Sequence, residues 1–173
     1  TLNVKDNSYL EFIPEQIIPY KKSRFYQKTN LVIDDSSTVV YSETIVPGRI
    51  AMGEMFDFDV CFLKTEGKIN DRIQFRDSSF LSPKTQKIES LAMFDDKTIL
   101  TSVYILTKKH LTKIKDMIDE LFSHTQNITG GSSILPNDSG ISIRILGNSS
   151  EDQKTTIYEI IKIIRKEILP DYL

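Results

Sequence analysis

The sequence contains no tryptophan, one cysteine and two histidines in 173 residues. A structural zinc site draws about four Cys or His ligands from local spacing. His110 and His124 are too far apart to form an i, i+4 pair, so a permanent zinc site is excluded and both histidines read as surface groups. The lone Cys61 cannot close an internal disulfide, which suits a reducing, cytoplasmic setting. Without tryptophan a sugar site lacks its best stacking platform, and paired carboxylates alone do not make a glycosidase. No Ser-His-Asp or Cys-His set, phosphate-binding glycine loop, G-x-G-x-x-G or H-E-x-x-H motif is present, so the reading is non-enzymatic. No apolar run approaches the roughly 20 residues that span a bilayer. Nothing at the start resembles a signal peptide. With 22 Lys+Arg against 24 Asp+Glu, the net charge is -2. That balance offers no cationic excess for a phosphate backbone, so neither nucleic acid nor membrane is expected as a partner.

What is present is ordinary globular composition, 39% hydrophobic and 27% charged, long enough for one domain with a core. The expectation is a single domain over 1–173, mainly β over 1–106 and helix–strand–helix over 107–173. Tyr9 to Ile18, Ser23 to Ile33 and Thr38 to Val46 are rich in β-branched and aromatic residues and read as strands. Asp34-Asp-Ser-Ser37 reads as a turn. Phe56, Phe58, Val60 and Phe62 alternate with Asp57, Asp59 and Cys61, which predicts a strand with those two sets on opposite faces. Glu66-Gly67 reads as the turn into a partner strand carrying Ile69, Ile73 and Phe75. Further strands are expected around Lys87 to Phe94 and Thr98 to Leu106, with Asp95-Asp-Lys97 as a hairpin turn.

Two amphipathic helices follow. Leu111, Ile114, Met117, Ile118, Leu121 and Phe122 form the stripe of the first, and Gly130-Gly131 is read as its end. Ile141, Ile143 and Ile145 mark a strand after the tight turn Ser139-Gly140. Ile157, Ile160, Ile161, Ile164 and Ile168 form the stripe of the second helix. There Ser150 and Gln153 fit a capping box, acids lead, Arg165 and Lys166 close, and Pro170 stops the helix. Tyr158 and Ile163 make that helix apolar over more than one stripe, consistent either with deep burial or with a partner.

The densest punctuation is Glu43-Thr-Ile-Val-Pro-Gly-Arg-Ile-Ala-Met-Gly-Glu-Met-Phe56. Gly48 and Gly53 permit backbone angles closed to other residues, and Pro47 fixes φ. Glu43 and Glu54 flank the Gly-Arg turn. Carboxylates bind hard or borderline divalent cations weakly through oxygen. The competing reading makes Glu54 the ion-pair partner of Arg49, Asp57 and Asp59 a solvated strand face, and Cys61 a buried structural thiol. Arg144 reads as a paired charge at the junction between strand and second helix.

The pattern Glu43, Gly48, Arg49, Gly53, Glu54 and Phe56 resembles the urease accessory protein UreD (UreH) family. Leu10-Glu-Phe-Ile-Pro-Glu-Gln-Ile-Ile-Pro19 resembles that family's "W-x-P-x-P-x-I-P" strand. Gly131-Ser-Ser-Ile-Leu135 and Gly140-Ile-Ser-Ile-Arg-Ile-Leu-Gly147 resemble its "G-x-S-x-L" and "G-L-x-x-R-x-L-G" segments, so Gly140, Arg144 and Gly147 join the motif positions. The likeness corresponds to the C-terminal two thirds of the family pattern. An N-terminal β region with a Pro-Gly-Gly…Gly-Asp motif is expected upstream of Thr1. The family's "P-R-x-W" ending is not seen after Pro170-Asp-Tyr-Leu173.

The resemblance implies a β-rich α+β fold, a β-helix-like stack of strands followed by helix–strand–helix. It implies no turnover and no permanently bound cofactor. Nickel would be a transient cargo. The partners it implies are UreF, through it the GTPase UreG, and the urease apoprotein. It also implies an internal water-filled passage for the ion, with Glu43 and Glu54 beside it and Arg49 holding the turn. The alternative from the residues themselves is a non-catalytic β-rich binding or scaffold module with no metal role.

Overall fold

A computed structural model describes residues 1–88, 90 and 93–169. The first five strands are β1 (Leu2–Val4), β2 (Tyr9–Phe12), β3 (Arg24–Ile33), β4 (Thr38–Ile45) and β5 (Val60–Ile69). They alternate between two sheets, and within each sheet they pair in parallel. The remaining strands are β6 (Arg72–Leu81), β7 (Ile99–Leu106), β8 (Ile128–Ile134) and β9 (Gly140–Gly147). One sheet has the order β1-β3-β5-β6 and the other β2-β4-β7-β9-β8. The helices are α1 (Leu111–His124) and α2 (Ser150–Ile168). The result is a β-rich α+β fold of two mixed sheets, neither closed into a barrel.

Period-two alternation assigns each inner strand two jobs. Val40, Val103, Ile105, Ile141, Ile143 and Ile145 turn one face of the larger sheet toward the helices. There they meet Ile114, Ile118, Ile157, Ile160, Ile161 and Ile164 in one apolar layer. The opposite face of that sheet packs on the smaller sheet through two further clusters. One gathers Leu31, Ile33, Val39, Tyr41, Phe75, Tyr104 and Leu106. The other gathers Ile45, Phe58, Cys61, Leu63, Leu81, Ile88 and Phe94.

Both helices run as their stripes predict, and α2 carries Glu151 and Asp152 in its first turn and Arg165 and Lys166 in its last. Its cap lies one residue earlier than the sequence pattern indicates. Ser149, not Ser150, accepts the amide of Asp152 at 3.2 Å, and Gln153 turns inward to donate to the Ile99 carbonyl at 3.4 Å. The predicted stop at Pro170 lies outside the described residues. The turn Asp34–Ser37 is a corner between sheets rather than a hairpin, because β3 and β4 belong to different sheets. The Asp34 carboxylate holds it by accepting the amides of Ser36 and Ser37, both at 2.9 Å.

Four expectations fail for identifiable reasons. Glu66-Gly67 does not turn the chain: β5 continues to Ile69, and Asn70 and Asp71, both in the left-handed region, form the turn. Gly67 is required for close packing instead, since a Cβ there would stand 2.1 Å from the Phe75 ring. Gly130 and Gly131 lie within β8 rather than at a helix end, so the last third reads helix–strand–strand–helix. The ring of Phe122 on α1 covers Gly130, where a Cβ would meet it at 2.3 Å. Of the strand expected from Lys87 to Phe94, residues 89, 91 and 92 lie outside the described residues, and the described ones form turns and bends, so among the described residues Asp95–Lys97 joins no strand pair. Finally, Asp57 and Asp59 precede β5, and the alternation changes phase across that break. Phe58 and Cys61 both point inward, while Phe62 faces outward against Tyr26 and Phe80.

Overpacking a well-filled interior costs about 1–3 kcal/mol. Gly67→Ala is therefore expected to lower Tm by roughly 2–12 °C. Thermal unfolding followed by circular dichroism checks this, and an unchanged Tm would mean that Phe75 does not sit over Gly67.

Candidate functional site: a polar belt between the sheets

The two apolar clusters between the sheets do not merge. Across the larger sheet, the strand register places Glu43 opposite Ser102, and Ser102 opposite Arg144. Across the smaller sheet, it places Thr29 opposite Thr65, and Thr65 opposite Asp77. Tyr41 and Tyr104 lie one inward step to one side of this belt, and Ile45 and Leu100 one step to the other. A row of polar side chains thus crosses each sheet, and the two rows share hydrogen bonds.

Glu43 is the centre of the belt and is only 3% exposed. Its Oε2 accepts the Tyr41 hydroxyl at 3.0 Å and the Thr65 hydroxyl at 3.4 Å. Tyr41 can give that proton away because Gln27 donates to its oxygen at 3.1 Å, with Thr29 a further 3.2 Å neighbour. The Tyr104 hydroxyl lies 3.5 Å from Glu43 Oε1 and 3.0 Å from Asp77 Oδ2. It has one proton, and the shorter contact to Asp77 takes it. Arg144 donates to the same Asp77 oxygen and lies over the Tyr104 ring, 5.3 Å from its centroid. Arg144 therefore closes an ion pair across the sheets. It is not a brace at the junction with α2, as its place in the sequence suggested.

Burial decides the protonation pattern. It raises the pKa of Glu43 against the opposing pull of the Tyr41 hydrogen bond and the Arg144 charge. A protonated Glu43 can donate to the Tyr104 oxygen, which completes a chain from Glu43 through Tyr104 and Asp77 to Arg144. Burial, and then the charge of Glu43, also raises Tyr41, Tyr104 and Cys61. The Cys61 thiol is pushed up to about 12, so it is an inert buried thiol. Burial lowers Arg144, while Glu43 works against that shift.

Glu54 is elsewhere. Gly48 (φ 137°) and Gly53 (φ 73°) let the chain wrap one short 3₁₀ turn, Ile50–Met52. Arg49 grips Glu54 with two donors, Nε to Oε2 at 2.9 Å and Nη2 to Oε1. The Lys21 amide donates to Glu54 Oε2 at 3.1 Å, and the guanidinium lies 4.4 Å over the Tyr20 ring. The Arg49 hydrogen bond is the first cause holding the Glu54 carboxyl below the usual carboxylate range. This clamp fastens the loop to the segment around Pro19. Phe56 adopts a left-handed φ of 53° and packs edge-on against Phe94 at 5.8 Å. Asp57 and Asp59 pair with Lys21 at 3.4 Å and Lys84 at 2.5 Å. Gly140 and Gly147 bound β9 and so fix where Arg144 stands. His110 and His124 lie exposed at the two ends of α1.

Glu43 and Glu54 therefore share no hydrogen-bond partner. Among the described residues, no group of three or more His, Cys, Asp or Glu could hold a metal ion. Tyr41, Tyr104, Asp77, Thr65 and Ser102 are functional candidates that sequence reading missed. For Tyr41, Tyr104, Thr65 and Ser102 the signal was present: each is a polar side chain at an inward position of an otherwise apolar alternation.

The sign of the Glu43 shift predicts a pH dependence. The folded chain holds this proton more tightly than the unfolded chain. The stability it confers is complete below the ordinary value of 4.5 and is lost as pH rises through the raised folded value. Glu43→Gln, which cannot ionise, should gain stability relative to the native chain as pH increases above about 4.5. Urea denaturation of both proteins across pH 4.5–8 measures this difference, and a gap independent of pH would refute the raised pKa.

A sequence profile of the family described as "UreD urease accessory protein" matches residues 1–171. The chain is 34% identical over 145 residues to the urease accessory protein UreD of Cenarchaeum symbiosum, covering 83% of this chain and 51% of that protein. It is 32% identical over 172 residues to UreD 2 of Brucella canis, covering 97% of this chain and 57% of the relative. The UreD of Yersinia pseudotuberculosis is 31% identical over 170 residues, covering 96% of this chain and 53% of that protein. The chain thus spans about half the length of the curated relatives it matches. These relatives are named as accessory proteins, not as enzymes, and among the described residues no helix is long and apolar enough to cross a membrane. A motif built around the Arg49–Glu54 clamp, set on a two-sheet fold and matched over nearly its whole length, places this chain in the UreD urease accessory protein family.

Proposed function

We propose that this chain scaffolds UreF and UreG on the urease apoprotein in the cytoplasm and assists nickel insertion into the urease active site. The observation that carries the proposal is the polar belt between the sheets. A fold of this kind is more stable with apolar residues there, because each buried polar group costs free energy unless it is paired. Retaining two carboxylates, a guanidinium, two phenols and three hydroxyls across a whole sandwich is reasonable where a charged cargo passes. In this reading the first five strands are coils of a β-helix-like stack, and the belt lines a hydrated route between its walls.

The donor set suits a conduit. Carboxylate and hydroxyl oxygens bind a borderline divalent ion weakly, whereas thiolate or imidazole sets hold it. Glu43 is the ligand with the fewest competing charges. Glu54 is the second candidate, and the ion must compete there with Arg49. A cation beside Glu43 would displace its proton, so entry of nickel and release of a proton are coupled. Nickel is the cargo, and no resident cofactor is invoked.

Glu43→Ala and Glu54→Ala, made singly and together, are expected to reduce nickel-dependent urease activation in a reconstituted assay with UreF, UreG and apo-urease. The Glu43 variant should lose more, because Glu54 is held by Arg49. Activation equal to that of the native chain in all three variants would sink the assignment of both carboxylates.

A further inference from the structure

Helices cover the outer face of the larger sheet, but the outer face of the smaller sheet carries a different chemistry. Tyr26, Phe62 and Phe80 lie in one row across β3, β5 and β6. Their ring centroids are 5.4 and 5.9 Å apart, and Tyr26 and Phe80 remain 59% and 48% exposed. The next row places Lys28 directly opposite Lys64. Like charges in register repel and cost stability. Among the described residues neither lysine forms an ion pair, although most of this protein's salt bridges lie on its surface. The row after that is neutralised: Arg76 and Lys68 reach Glu66 at 2.7 and 3.4 Å. Among the described residues, unpaired positive charge thus flanks the aromatic strip on both sides, Lys28 and Lys64 in one row and the exposed Arg24 in the other.

We infer that this face docks an acidic surface of a partner protein, one that places carboxylates on Lys28 and Lys64 and an apolar side chain on the Tyr26–Phe62–Phe80 strip. The inference rests on the scaffold reading above and gives it a surface. Charge complementarity selects the occupant. Two lysines and Arg24, on a face whose further row contains Glu66, are too few for a phosphate backbone, which gathers many cations. A second copy of this chain meeting the same face would bring its own lysine pair against this one. An acidic protein surface relieves the Lys28–Lys64 repulsion and covers the rings, which have the size and rigidity of interface anchors.

The test uses the full chain with purified UreF, UreG and apo-urease, one at a time, by titration calorimetry at low and high salt. The expected result is binding of one of the three that weakens with salt. Tyr26→Ala with Phe80→Ala should weaken it at least about tenfold. Lys28→Gln with Lys64→Gln should weaken it several-fold while leaving Tm equal or higher, because the substitution removes repulsion in the free protein. A purely structural role for the lysines predicts the reverse, a lower Tm with unchanged binding. If a partner binds the native chain and both variants equally, the face is not the dock and the scaffold proposal survives. If none of the three binds the native chain, the scaffold proposal fails and this one with it. Binding of a single-stranded oligonucleotide to the native chain, lost in the same variants, would assign the face to nucleic acid and overturn the inference.

Discussion

The burial of one carboxylate between two sheets is the constraint on which the rest of the structure depends. Glu43 sits where the interior would otherwise be continuous hydrocarbon. Its presence requires donors, and the polar network that answers draws on five strands: Tyr41 from its own strand and Thr65 from the facing sheet donate to it, while Tyr104 and Arg144 from its own sheet donate to Asp77 of the facing sheet beside it. Each of these in turn must be satisfied, which brings in Gln27 and Thr29. The belt therefore fixes the register of both sheets against each other. A one-residue slip in any strand would leave a buried polar group without a partner. The apolar clusters on either side border the belt and keep the local dielectric low.

The low dielectric explains how the site differs from an ordinary surface carboxylate. Burial favours the protonated form of Glu43. Arg144, partly desolvated itself, is held by Asp77 rather than by Glu43, so Glu43 is not permanently committed to an internal counter-charge. The contrast with Glu54 is instructive. That carboxylate has a two-pronged arginine partner and a backbone amide, and its pKa moves in the opposite direction. Two glutamates that looked equivalent on either side of a glycine loop are separated by the fold into a loop clamp and a buried titrating group.

The sequence revealed the parts set by local periodicity and left unread those set by pairing across space. The stripes of α1 and α2, the strands around Thr38 and Thr98, and the alternation Ile141-Ile143-Ile145 were legible because one buried face imposes a fixed period. The Arg49–Glu54 pair was legible because its partners are five residues apart. The reading of glycines as turns misled at Gly67 and Gly130, where the absence of a side chain serves a ring arriving from another element. The phase break before β5 was hidden because Phe56, Phe58 and Phe62 look like one continuous alternation. The belt was hidden for a related reason. Asp77 and Arg144 are 67 positions apart, and nothing local distinguishes them from surface charges.

The account stands most directly on the state of the Glu43 carboxyl. Carbon-13 detection of glutamate side-chain carboxyls, with Glu43→Gln to assign the resonance, follows that group through pH and through addition of nickel. The account predicts that Glu43 titrates above the ordinary carboxylate range and that its resonance is the first buried one broadened by the paramagnetic ion, with the effect stronger once pH exceeds its pKa. A Glu43 carboxyl that titrates in the ordinary range, or one untouched by nickel while surface carboxylates broaden, would contradict it.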